Sequence, residues 1–359
     1  MSSTSPAAME KLELPAEDKA HGDTSPTSSR IKITHRPDRS APMAALQFIL
    51  KPFRPRLVAP SGKSRGAHPV RLKPPIWALR TTHWKEYQVD GTWIYDMVPK
   101  VSNKHCDYPK RRIYYFCGGS WQDPPSIMHW RLAAELSRKV HNAMVSVISH
   151  PLAPECPACE ALPHLDRLYK ELMRRSAEAG ERVVWAGDSS GGNLALSVVL
   201  HSLSTQGVDG PQPAAVMAIC APTDLRHLDD KIKEVEPYDS MMTLDFVNEA
   251  ASKWTNMREG VEAGSDHSGY SISDPRISPA AGDIGLFAAA NIAVHGVTAG
   301  FDVLAPEAVN FRDRCAEAGV EGQWLQCDKM MHDFPLMFKC GFSDCQRGLD
   351  WIVDVLQTA

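Results

Sequence analysis

The chain has 359 residues, 43% of them hydrophobic, and a formal net charge of −4. That is enough apolar material for one large core or about two average domains. The mild negative balance argues against a nucleic-acid partner, and no apolar run reaches the ~20 residues of a membrane-spanning helix, so no integral membrane segment is expected.

Taken from the start, Met1-Ser-Ser-Thr-Ser-Pro6 has neither the basic nor the apolar region of a secretory signal. The nine cysteines are therefore read as reduced thiols and the protein as cytoplasmic. Residues 1–40 are rich in Ser, Pro, Thr and charge and read as a disordered tail, because they cannot bury enough surface to offset ordering entropy. Residues 41–80 read as an N-terminal helical cap segment. It is led by Ala44-Ala-Leu-Gln-Phe-Ile-Leu50 and ended by the prolines of Lys51-Pro-Phe-Arg-Pro-Arg56. Membrane-surface attachment through this basic amphipathic stretch is the alternative.

The main domain, residues 81–359, alternates strands and helices. Trp84–Val89 and Thr92–Met97 around Asp90-Gly91 predict a hairpin. Strands follow at Arg112–Phe116, Ala143–Ile148, Arg182–Ala186, Ala214–Ile219, Asn291–Val297 and Gln323–Cys327. Helices are expected at His129–Val140, Leu165–Ser176, Pro306–Ala318 and in a last segment ending near Gln357. Residues from about 226 to 270 lack strand character and read as a helical insertion with a loop. Such alternation implies an α/β class with a mostly parallel sheet covered on both faces.

The most informative stretch is Gly187-Asp-Ser-Ser-Gly-Gly192, which joins an apolar strand to a helix pattern. Gly-x-Ser-x-Gly in that setting is a nucleophile elbow. Its glycines permit a sharp turn, and the helix N-terminus lies beneath the Ser189 hydroxyl. A serine needs a base, and the base an orienting acid. His332 lies after the last strand and Asp302 after the strand before it, so both fall at the carboxyl edge where Ser189 stands. Asp328 and Asp333 lie too close to His332 in sequence for the usual arrangement. His295 sits inside an apolar strand and reads as a core residue.

Acyl chemistry also needs oxyanion donors. The amides of Gly118, Gly119 and Ser120, after the strand ending at Phe116, are candidates together with that of Ser190. Ser120 fits this role readily if its φ is negative. Cys117 precedes the glycines with no helix to lower its pKa and is not read as a nucleophile. Cys156-Pro-Ala-Cys159 has no second pair and is read as chance. No metal-ligand spacing such as His-Glu-x-x-His is present, and neither a metal nor a cofactor is expected.

These residues resemble the hormone-sensitive-lipase-like esterases of the α/β-hydrolase fold, marked by a His-Gly-Gly-Gly motif. The resemblance covers about residues 80 to 359. It rests on Cys117-Gly-Gly-Ser120, Leu152-Ala-Pro-Glu155, Gly187-Asp-Ser-Ser-Gly-Gly-Asn193, Asp274-Pro-Arg-Ile-Ser-Pro279, Gly300-Phe-Asp302 and Met331-His-Asp-Phe334. Cys117 and Ser120 depart from the motif, where the family has histidine and a third glycine. The long polar N-terminus and His-Asp-Phe-Pro resemble fungal members, several serving natural-product pathways.

The resemblance implies an α/β-hydrolase that cleaves a small, largely apolar ester or lactone through Ser189, His332 and Asp302. Trp121, Met241, Met242 and Phe246 are the expected substrate-binding residues, with Trp254 and the segment near Phe48 as further candidates; core packing is the equal alternative for Met241, Met242, Phe246 and Trp254. Alternatives are a cyclase or acyltransferase using the same triad and an amidase or formamidase, since Gly118-Gly-Ser-Trp121 is also similar to kynurenine-formamidase-like relatives. A ligand-binding receptor on the fold is disfavoured by the presence of His332. Oligomeric state is not legible.

Overall fold

A computed structural model describes residues 30–62, 66, 68–100, 110–256 and 270–359. Nine strands form one sheet: β1 (Ile31–Arg36), β2 (Thr82–Val89), β3 (Thr92–Pro99), β4 (Arg111–Phe116), β5 (Ala143–Ser149), β6 (Arg182–Asp188), β7 (Ala215–Ile219), β8 (Ala293–Ala299) and β9 (Gly322–Cys327). Their order is β1-β9-β8-β7-β6-β4-β5-β3-β2. Only β2–β3 and β3–β5 pair antiparallel; every other neighbour is parallel. Parallel neighbours need crossovers, so the intervening helices cover both faces.

Alternation along β4 builds both cores. Tyr114 and Phe116 join Trp185 and Tyr169 on one face, while Tyr115 joins Val147, Met217 and Leu325 on the other. Trp185 anchors its side, with ring centroids 4.9 Å from Tyr114, 5.4 Å from Phe116 and 5.1 Å from Tyr169. Each fully buried side chain of this size contributes about 2 kcal/mol or more of transfer free energy.

The expected strands and helices appear with ends shifted by a few residues. Two differences have clear causes. The expected tail is not without structure to residue 40: β1 pairs in parallel with β9, from Ile31↔Gly322 to Arg36↔Cys327. Only Ile31 of β1 is buried, so backbone pairing rather than apolar content makes this edge strand, and composition does not reveal it. Residues 1–29 lie outside the described residues. The helix expected from Leu165 begins at Ala158. Pro163 inside it forfeits one backbone bond, and the burial of Ala158, Ala161 and Leu162 carries the helix through.

In the insertion, helices form at Lys231–Val235 and Leu244–Thr255, the second capped by Thr243 Oγ1, which accepts from the Phe246 amide at 3.1 Å. Residues 257–269 of the expected insertion lie outside the described residues. The segment expected to act as a cap contains the helix Ala41–Leu50, with shorter helices at Arg54–Leu57 and Ile76–Thr81. Among the described residues, no helix is long and apolar enough to cross a membrane.

Candidate active site

Ser189 stands between β6 and the helix Ser190–Gln206, with φ 49° and ψ −127°. A non-glycine residue held there costs of order 1–3 kcal/mol, so its surroundings must fix it. The Ser189 amide donates to Ile219 O at 2.8 Å, and the Asn193 amide donates to Ser189 O at 3.1 Å. The flanking glycines serve close approach rather than positive φ. A Cβ on Gly191 would stand 2.1 Å from Phe116 O, and one on Gly187 2.4 Å from the Gly191 carbonyl carbon. Asn193 Nδ2 then donates to Pro222 O and Ile277 O, both at 2.9 Å, tying the elbow helix to the 274–279 block.

Asp302 follows β8 and His332 follows β9. Their loops meet because Gly300 leaves room: its amide donates to Cys327 O at 2.7 Å, and a Cβ there would lie 2.2 Å from Asp328 O. His332 Nδ1 lies 2.7 Å from Asp302 Oδ2, both side chains being buried. Asp302 Oδ1 accepts from the Leu304 amide at 2.9 Å. The other ring nitrogen, Nε2, lies 3.1 Å from Asp333 Oδ2. Burial opposes a charged imidazole, but Asp333 and Asp302 outweigh it and hold the ring's pKa well above its ordinary 6.5. Among the described residues the Ser189 hydroxyl enters no hydrogen bond.

The candidate oxyanion loop follows β4. The Gly118 amide is already engaged, donating to Asp188 Oδ2 at 3.2 Å, and the Trp121 amide donates to Ser190 Oγ at 3.1 Å. The amides of Gln122 and Asp123 both fold back on Gly119 O. Those of Gly119 and Ser120 enter no hydrogen bond among the described residues. The Ser190 amide opens its helix, where no preceding turn supplies an acceptor. Ser120 has φ 55° and Trp121 φ 59°, against the negative φ under which a serine fits readily. Burial, then Asp188, pushes the Cys117 thiol well above its ordinary 9.0, which keeps it protonated.

Residues 113–336 match the family model described as the alpha/beta hydrolase fold. An esterase of Acinetobacter venetianus is 21% identical over 237 residues, 66% of this chain and 71% of that one. Human hormone-sensitive lipase is 27% identical over 157 residues, 43% of this chain and 14% of that much longer one. The chain belongs to the hormone-sensitive-lipase-like α/β-hydrolases. Its fold is also that of carboxyl esterase 2 from the mycorrhizal fungus Tuber melanosporum. There the TM-score is 0.70 at 19% identity, with 90% of this chain and 99% of that one covered.

In this hydrolase a cavity of about 370 Å³ is lined by Gly118, Gly119, Ser120, Ser189 and His332. Met241, Met242, Phe246 and Leu336 line it as well. Trp121 borders a smaller void beside Ser189, Met242 and Phe246. For Trp254 the core alternative holds: it is 0% exposed and stacked on Trp121 with centroids 5.7 Å apart. Phe48 is 80% exposed; within the N-terminal segment, Leu57, Val58 and Ala59 reach the cavity. His295 sits in the core as expected, its Nδ1 accepting from the Gln323 amide at 3.0 Å.

Three acidic groups at the site have no sequence signal comparable to the elbow. Asp333 faces His332, as above. Asp239 Oδ1 accepts from the Met241 and Met242 amides at 2.7 and 2.8 Å, and its Oδ2 accepts from the Val303 amide at 2.9 Å. It therefore clamps the pocket-lining segment to the loop that carries Asp302. Asp188 lies inside the serine motif itself, yet its role as an acceptor beneath Gly118 requires the fold. Cys220 Sγ lies within 4.8 Å of donor atoms of Asp302 and His332. Burial, with Asp333 and Asp302 nearby, lifts that thiol well above its ordinary 9.0.

Proposed function

We propose that the protein hydrolyses a carboxylic ester or lactone of a small, largely apolar substrate through an acyl-enzyme on Ser189. His332, oriented by Asp302, takes the Ser189 proton as the oxygen attacks the carbonyl carbon. The negative charge that develops on the carbonyl oxygen is received by the amides of Gly119, Ser120 and Ser190. His332 then protonates the leaving alcohol, and a water molecule activated by the same ring releases the acid.

The observation that carries this reading is the shared cavity: Ser189, His332, Gly119 and Ser120 all line it. Gly118 enters differently from the sequence-based expectation, because its amide is spent on Asp188. Met241, Met242, Phe246 and Trp121 supply apolar surface for the acyl or leaving group. A role in natural-product metabolism belongs to the same proposal and rests on sequence resemblance.

A series of p-nitrophenyl esters from acetate to dodecanoate, run on wild type and Ser189→Ala, tests it. Wild type turns over the members the cavity admits, and Ser189→Ala loses on the order of 10⁶ in kcat. Equal turnover by the two proteins overturns the proposal.

A further inference from the structure

Asp188 is 0% exposed and accepts three hydrogen bonds from three different elements. The Tyr115 hydroxyl of β4 donates to Oδ1 at 2.7 Å, and the Gly118 amide to Oδ2 at 3.2 Å. Oδ2 also stands 2.9 Å from Nε2 of His129, in the first turn of the helix Ile127–Lys139. His129 is itself 7% exposed, and its Nδ1 accepts from the Ser126 amide at 2.9 Å. With Nδ1 an acceptor, the ring proton belongs on Nε2 and points at Asp188. Burial works against charge on Asp188, yet His129, Tyr115 and Gly118 outweigh it and keep the carboxyl below its usual range.

Packing alone does not call for such a group, since a buried charged assembly stabilises no better than apolar side chains of similar volume. What sets this one apart is its contact with the loop beside the nucleophile. The loop's other bonds lie further along: the Gln122 and Asp123 amides return to Gly119 O, and Trp121 is held from Ser190 and Ala153. Ser120 and Trp121 both carry positive φ, so the turn between them is a strained one. Asp188 grips the loop at Gly118, one residue before the two unengaged amides.

We propose that His129, acting through Asp188, is a positioning residue that fixes Gly118 and so aims the amides of Gly119 and Ser120 at the oxyanion. This rests on the reading of those amides given above.

The test compares wild type, His129→Ala, His129→Gln and Tyr115→Phe on p-nitrophenyl butyrate, with thermal unfolding in parallel. A trifluoromethyl ketone inhibitor serves as the oxyanion mimic. His129→Ala loses about 10²-fold in kcat, the scale of one oxyanion donor, while KM stays within a few-fold. The inhibition constant rises in step with the loss of kcat/KM. His129→Gln, which can place an N–H near the lost Nε2, recovers most of the loss, and Tyr115→Phe shows a smaller loss of the same kind. A folded His129→Ala with unchanged kcat and inhibition, or a loss confined to KM, overturns the proposal. Failure of all three variants to fold also overturns it, because the network is then structural. A wild type without ester turnover overturns the function reading, and this one with it; an active wild type beside an unaffected His129→Ala overturns this one alone.

Discussion

Asp333 Oδ2 stands 3.1 Å from Nε2 of His332, while Asp302 takes the opposite ring nitrogen. In the proposed mechanism Nε2 is the atom that accepts the Ser189 proton, so the base of that mechanism is shared with a second carboxylate at rest. Asp333 is held there by a left-handed backbone, φ 49°, which an Asp or Asn adopts more readily than most residues.

This arrangement sets the pH profile. The base works only as neutral imidazole, and its pKa is held well above 6.5. The ascending limb of kcat/KM therefore lies on the alkaline side of an ordinary histidine. Asp333→Asn removes one negative neighbour and keeps the backbone, so the limb moves to lower pH, by about one unit or more. A pH–rate profile of both proteins on one ester measures this; superimposed limbs contradict it.

Asp302 orients His332 through the 2.7 Å contact and is itself fixed by the Leu304 amide. Asp302→Asn is expected to lower kcat by roughly 10⁴ with KM little changed, because the amide favours the wrong tautomer of the ring. Steady-state kinetics check it, and a change confined to KM would deny Asp302 that role.

Ser120 has φ 55° where only glycine is free of strain. Ser120→Gly relieves that strain, less the extra entropy of the unfolded chain, for a net gain of a few tenths to about 1 kcal/mol. Ser120→Val, β-branched in the same conformation, loses stability. Thermal unfolding of the pair gives the sign.

Asp239 is buried beside Asp302, and burial followed by that neighbour lifts its pKa from 3.8 to about 6. A carboxyl raised on folding favours the folded state while protonated, and that contribution disappears as pH rises through about 6. Asp239→Asn removes the dependence. Its melting temperature relative to wild type should therefore climb between about pH 4 and pH 7 and level off above, and a flat difference across that range would contradict the assignment.

The sequence carries this fold well where chemistry and periodicity coincide. The elbow at Ser189 needs its strand, glycines and helix in one short run, and the crossover order then places Asp302 and His332 at the same edge. Three features escape it for physical reasons. β1 is held by backbone bonds to β9, with one buried side chain, so its apolar pattern is nearly silent. The occupation of the Gly118 amide depends on Asp188, about seventy residues away in the chain. Asp239 and Asp333 act through proximity to Asp302 and His332, which only the fold creates.

The most direct test of Ser189 as the nucleophile is intact-mass and peptide mapping after treatment with a fluorophosphonate. Wild type should gain one adduct, located on Ser189, with ester turnover lost in proportion. Ser189→Ala should gain none and hydrolyse no ester. An adduct elsewhere with activity abolished, or turnover surviving in Ser189→Ala, would contradict the assignment.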